Sequence, residues 1–219
     1  MVPFMPYYFV MFKPPAAAVS VVLLAAGKSR RMGEHKLLLP FDGTCVIART
    51  LDNLLAARVG EVVAVLGFQA DEVKKAVGGR VKTVLNPEYA LGMSTSLRVG
   101  LGALAVEAPF VMVALADQPL VTTREYNSLI EAALASERGI ILPVFGGQRG
   151  NPIIVARRYL PELTRMSGDI GGRELLRDYP QDILEVSVET EGVIININTP
   201  EEYRRQLAGL DNRRIGHHV

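Results

Sequence analysis

Cysteine is almost missing from this 219-residue chain, and the lone Cys45 excludes an intrachain disulfide and a thiolate metal cluster. Histidine is nearly as scarce: His35, His217 and His218 are the only three, two of them at the extreme C-terminus, so no His-rich zinc site is expected. No excess of either charge exists, since 24 Lys and Arg meet 23 Asp and Glu for a formal net charge of +1. That balance supplies no global field for nucleic acid or an anionic membrane, so an anionic ligand has to be captured locally. The apolar run within MVPFMPYYFVMFKPPAAA, residues 1–18, is about 12 residues long against the roughly 20 needed to span a bilayer. Its four prolines and its single basic residue, Lys13, placed after the apolar run, also make a poor signal peptide. These absences point to a reducing, cytoplasmic setting, with residues 1–18 as an N-terminal arm and Met11 as an alternative start. A Gly-x-Ser-x-Gly nucleophile elbow is lacking as well.

What is present is a chain 49% hydrophobic and 21% charged, enough to bury one sizeable core. Apolar runs at Val19 to Leu24, Val62 to Leu66, Val81 to Leu85, Phe110 to Leu115 and Ile140 to Val144 read as strands. Helical patterns lie between them at Val46 to Ala57, Ala70 to Val77, Ser94 to Leu104 and Thr122 to Ser136. Continuous apolar strands alternating with helices predict an α/β domain over 19–210 with a mostly parallel sheet covered on both faces. After Gly146 the rhythm changes: a Gly-rich turn, a strand at Pro152 to Val155, two short helices, strands near Ile183 to Val188 and Gly192 to Ile197, and a helix from Pro200 to Leu210. Thr199 is its expected N-cap, and 211–219 reads as a polar tail.

Six segments could carry chemistry. Leu24-Ala-Ala-Gly-Lys-Ser-Arg-Arg-Met-Gly-Glu-His-Lys36 follows the first strand, where ligands bind in doubly wound sheets. It sets Lys28, Arg30, Arg31 and Lys36 against Glu34 alone, and Gly27 and Gly33 allow backbone N–H groups to approach an anion such as a triphosphate. Its spacing fits neither the P-loop nor the dinucleotide fingerprint. Asp117, in Ala114-Leu-Ala-Asp-Gln-Pro119, ends an apolar strand and is placed like a Mg²⁺ ligand. Asn86 to Arg98 opens a helix that Ser94 and Ser96 could cap or use to meet an anion. Gly146 to Pro152 and Ser167 to Arg173 fall where the alternation breaks down. In Val193 to Pro200, Asn196 and Asn198 sit two apart and so share one face of a strand.

Together these segments resemble the nucleotidyltransferase superfamily, whose signature L-A-A-G-x-S-x-R-M-G-x-x-K is matched at every fixed position from Leu24 to Lys36. More narrowly, the chain resembles the molybdenum cofactor nucleotidyltransferases, and the cytidylyltransferase branch above all. The resemblance implies that the backbone of Leu24, Ala25 and Ala26 meets the base and that Arg31 and Lys36 hold the phosphates, with Gly27, Gly33, Asn86, Ser94 and Ser96 as nucleotide neighbours. It implies Mg²⁺ on Asp117 with Asn198 and Asn196. It also implies an acceptor side of Arg149, Gly150, Gly168, Asp169 and Arg173, and a single Rossmann-like three-layer domain with a mostly parallel sheet. The family commonly has histidine where this chain has Asn151, and the Asn-x-Asn pair is closer to the guanylyltransferase branch. CTP is expected over GTP, with molybdenum-bound molybdopterin as acceptor and a client molybdoenzyme as a further partner. A guanylyltransferase, a sugar- or polyol-phosphate nucleotidyltransferase and a non-catalytic cofactor-delivery chaperone are the alternatives.

Overall fold

The computed structural model describes residues 18–29, 31–165, 168 and 172–215, with the backbone alone at 173 and 211–215. The first half runs β1 (Val19–Ala25), a small hairpin of β2 (Pro40–Phe41) and β3 (Thr44–Cys45), α1 (Val46–Leu55), β4 (Val62–Leu66), α2 (Ala70–Val77), β5 (Lys82–Leu85), α3 (Met93–Ala103) and β6 (Phe110–Leu115). The second runs α4 (Thr123–Ala135), β7 (Ile140–Phe145), β8 (Gln148–Arg149), β9 (Ile153–Ala156), α5 (Leu160–Arg165), α6 (Arg173–Asp178), β10 (Ile183–Ser187) and α7 (Pro200–Ile215).

The main sheet has the order β10-β7-β9-β6-β1-β4-β5, with β8 paired to β7. It is mostly parallel, as expected: β1 pairs in parallel with β4 and β6, β4 with β5, and β10 with β7. The exception is β9, antiparallel to both β6 and β7. Valine and isoleucine fill these strands because branched side chains pack well on a pleated surface. The lack of alternation follows from burial on both faces. Val19, Val21 and Leu23 join a cluster with α1, α2 and α4, while Val22 joins one on the other face with residues of α3, α5 and α6. Each such side chain, fully buried, contributes about 1.5–3 kcal/mol. In register, Leu24 stands opposite both Val65 and Leu115, so the carboxyl ends of β1, β4 and β6 open onto one place. Among the described residues no helix is long and apolar enough to cross a membrane.

Three expectations need correction. Gly192 to Ile197 is no strand: Glu191–Ile194 forms a short 3₁₀ turn closed by Thr190, and the chain then runs on through single hydrogen bonds. Neither Ser94 nor Ser96 caps α3, because that helix starts earlier, with Gly92 at its N-cap, which leaves both serines inside the first turn. The segment 211–219 is not all tail, since α7 continues to Ile215.

Candidate active site

Two strand ends build the floor of the site. Beyond β1, the Ala26 carbonyl accepts from Phe68 N–H at 3.2 Å, tying this loop to the end of β4. Gly67 is there for the same close approach, because a Cβ on it would lie 2.7 Å from the Ala26 carbonyl and 2.7 Å from the Tyr89 ring. Ser29, at a left-handed φ of 52°, turns the chain, and its Oγ accepts from the Lys36 N–H at 3.3 Å. His35 stacks on Phe68 and meets the Phe68 carbonyl at 3.0 Å through Nε2. The loop therefore doubles back and sets Lys36 over the end of β6.

There α1 clamps the turn that carries Asp117. Thr50 Oγ1 donates to the Ala116 carbonyl at 3.0 Å, and Asn53 donates to the carbonyls of Pro119 and Val121 at 3.2 and 2.9 Å. Ile197 N–H donates to the Asp117 carbonyl at 3.1 Å, which brings the 196–198 segment alongside. Lys36 Nζ is then paired with the Asp117 carboxylate and donates to Asn198 Oδ1 at 3.0 Å. The Lys36 and Asp117 side chains are only 14% and 13% exposed, so this pair is screened far less than one on the open surface.

A cavity of about 480 Å³ opens above this cluster, between Leu24 to Ser29, Tyr89 to Met93, Ser96 and Asn196 with Asn198. Of the residues expected at the nucleotide, Leu24, Ala25, Ala26, Gly27, Lys36 and Ser96 line it, together with Asp117. Lys28 lines it too, with its ammonium 5.4 Å from the centre of the Tyr89 ring. Arg31 is exposed and outside the lining, and Gly33 serves a turn at φ 72°. Asn86 and Ser94 are buried behind the wall. The Asn86 amide donates to Thr95 Oγ1 and Ser96 Oγ, both at 2.9 Å, and its Oδ1 accepts from Glu88 N–H. Ser94 N–H is spent on the Gly168 carbonyl at 3.1 Å. Residues the motifs did not single out include Gln118, Thr95, Tyr89 and Glu202. Only Glu202 had a readable signal, the Thr-x-x-Glu spacing of a capping box.

On the far side of Asn196 lie two further hollows. One, of about 340 Å³, is a polar cleft that includes Arg149, Gly150, Asn151, Glu202 and Arg205; the other, of about 300 Å³, is an apolar chamber between β6, β9 and α3, α5 and α6. Arg149 Nε donates to Glu185 at 2.7 Å. Gly150 packs so tightly that a Cβ would come 2.4 Å from the Val193 carbonyl. Arg173 opens α6, with its side chain outside the described residues, as is the whole of Asp169.

The donor chemistry fits a hard divalent cation. Asp117 Oδ and Asn198 Oδ1 face one point, already holding the Lys36 ammonium. Among the described residues no three His, Cys, Asp or Glu side chains group as metal ligands.

In this α/β sheet a lysine-bearing loop after β1 faces a carboxylate after β6. The chain belongs to the family described as the MobA-like NTP transferase domain, whose model matches residues 21–183. It is 26% identical to the molybdenum cofactor cytidylyltransferase of Escherichia coli K12 over 189 residues, 85% of this chain and 94% of that protein. It is 32% identical to the nicotine blue oxidoreductase of Paenarthrobacter nicotinovorans over 206 residues, 86% and 96% of the two chains. The crystal structure of Rv0371c from Mycobacterium tuberculosis H37Rv, in complex with manganese, superposes with a TM-score of 0.76 at 28% identity, over 88% of this chain and 99% of that one.

Proposed function

We propose that the chain transfers CMP from CTP to the terminal phosphate of molybdenum-bound molybdopterin in the cytoplasm and releases pyrophosphate. The observation that carries this reading is the Lys36, Asp117 and Asn198 cluster at the floor of a nucleotide-sized cavity. The acceptor phosphate is itself an anionic nucleophile, so no protein base is required, and no histidine stands among the described lining residues. One acceptor oxygen bonds to the α-phosphorus as the bond from that phosphorus to the bridging oxygen breaks. The electron pair leaves with pyrophosphate. Asp117 and Asn198 would hold Mg²⁺, which would neutralise charge on the phosphate oxygens when bound. Lys36, released from Asp117, turns its ammonium to the triphosphate, while the walls orient the two substrates and limit water.

CTP is favoured because the base side is built from Leu24, Ala25 and Ala26, and the Ala26 methyl narrows it where guanylyltransferases usually carry a second glycine. Guanylyl transfer is the second reading, favoured by the Asn196 and Asn198 pair. Pyrophosphate release measured with each of the four NTPs and molybdenum-charged molybdopterin tests both. CTP should turn over fastest. Equal or faster turnover with GTP reverses the base assignment, and no release with any NTP removes the transferase reading.

A further inference from the structure

The two asparagines of Asn196-Ile-Asn198 sit in one segment, yet their hydrogen bonds give them opposite polarity. Lysine has only hydrogens to offer, so the atom of Asn198 that meets Lys36 Nζ at 3.0 Å is its oxygen. A chain of the same logic runs through Gln118, which is buried. The Val193 carbonyl can only accept, so the Gln118 atom 3.1 Å from it is the amide nitrogen. That nitrogen also reaches Asn196 at 2.7 Å, so the atom it meets there is the asparagine oxygen. The oxygen of Asn196 is therefore engaged by Gln118. Its NH₂ group is left as the hydrogen-bonding end for a ligand.

The position of Asn196 gives that NH₂ a purpose. Among the described residues it is the one common to the linings of the nucleotide cavity, the polar cleft and the apolar chamber. Asn198, by contrast, borders the first two with its oxygen turned to a cation. We infer that Asn196 is not a metal ligand but donates its amide hydrogens to an oxygen of the acceptor's phosphate where the cavities meet, and that Gln118 is the positioning residue that fixes this polarity. The inference rests on the transferase reading and assigns within it which asparagine serves the cation and which the nucleophile.

Asn196→Asp and Asn196→Ala separate the roles by sign. Aspartate keeps the shape and can still accept from Gln118, but it turns a negative oxygen to the acceptor. The acceptor KM should rise about tenfold in Asn196→Ala and further in Asn196→Asp, with the CTP KM unchanged in Asn196→Ala. A metal ligand would give the reverse order, aspartate outperforming alanine. Gln118→Glu should invert the Asn196 amide by accepting where glutamine donates, and so raise the acceptor KM by a similar factor, with a lower melting temperature because a buried carboxylate then faces the Val193 carbonyl, which can only accept. Gln118→Met, which can neither donate nor accept strongly, serves as the second variant and should raise that KM less than glutamate does. Manganous-ion binding, followed by electron paramagnetic resonance with CTP and no acceptor, reads the other arm. Asn198→Ala should weaken it about tenfold and Asn196→Ala should leave it alone. Equal weakening in both, or an acceptor KM unmoved by Asn196→Asp, overturns the inference. Since the manganese arm needs no acceptor, a failure of transfer by the wild-type protein counts against the proposed function alone.

Discussion

The half of the molecule around β1 and the half beyond β6, proposed above to serve the nucleotide and the acceptor, are built differently. Around β1, parallel ladders with β4 and β6 bring three strand ends to one place, and helices packed on both faces hold them there. Beyond β6 the sheet continues through antiparallel β9 and the short β8, and the walls come from the six-residue helices α5 and α6 and a 3₁₀ turn. The first half sets its charges against each other because Asp117 follows the end of β6 directly and Lys36 sits on a loop tied back by Ser29. The second half holds its residues by close backbone contact and single hydrogen bonds. Substitutions in the two halves should therefore fail in different ways, the first in turnover and the second in stability and acceptor KM.

The largest effect should come at Asp117. Asp117→Asn leaves no carboxylate at the point where Lys36 and Asn198 meet, and turnover should fall about 10³-fold with a large rise in the Mg²⁺ concentration for half-maximal pyrophosphate release. Asn198→Asp should lower that concentration, because a second carboxylate joins the first. A midpoint unmoved by Asp117→Asn would place the cation elsewhere. Next comes Lys36→Met, expected to cost about 10²-fold in turnover, since it removes a cation from a site where charge is poorly screened. The melting temperature should change little. Near wild-type turnover in this variant would break the comparison at its strongest point.

In the other half, Gly150→Ala tests backbone packing. A methyl there meets the Val193 carbonyl, which belongs to the fold's scaffold and cannot swing aside, so a loss of about 1–3 kcal/mol in unfolding free energy is expected. Denaturant titration measures it. Because Val193 also accepts from Gln118 and from Asn151 N–H, the shift should raise the acceptor KM while leaving the CTP KM in place. A stable variant with a normal acceptor KM would show that the acceptor half is as compliant as an open loop.

How much of this is legible in the sequence follows the same division. Phe110 to Leu115 and Ala70 to Val77 read at their true ends, because an uninterrupted apolar run of six residues marks a buried strand and an apolar period near 3.6 residues marks an amphipathic helix. Lys36 and Asp117 can be singled out because each follows an apolar run that reads as a buried strand. The direction of β9 leaves no trace, as a buried strand looks the same whichever way it runs. Gly192 to Ile197 misleads because Val193 and its three isoleucines are those of a strand, while its backbone hydrogen bonds go singly to Asn151, Asp117 and its own turn. The motif makes Asn86 and Ser94 ligand neighbours, yet they brace the wall behind it. Gln118 has no signal at all, since its role depends on a carbonyl 75 residues away.

The smallest expected effect lies where the two halves meet, at the start of α7. Thr199 Oγ1 accepts from Glu202 N–H at 3.2 Å, and the Glu202 carboxylate accepts from Thr199 N–H at 3.0 Å and from Asn198 N–H at 2.7 Å. This reciprocal cap satisfies first-turn donors and also holds the backbone of Asn198, which faces Lys36. Thr199→Ala removes one of these bonds and should cost about 1 kcal/mol in unfolding free energy. Thr122, which caps α4 by the same box with Glu125 but lies away from the cluster, is the matched control. Both alanine variants should lose similar stability. Only Thr199→Ala should also raise the Mg²⁺ midpoint, by about twofold, because loosening Asn198 reaches the cation while loosening α4 does not. Equal midpoints in the two variants would mean that Asn198 is held by Lys36 and Asp117 alone, and that the helix cap contributes to folding without reaching the chemistry.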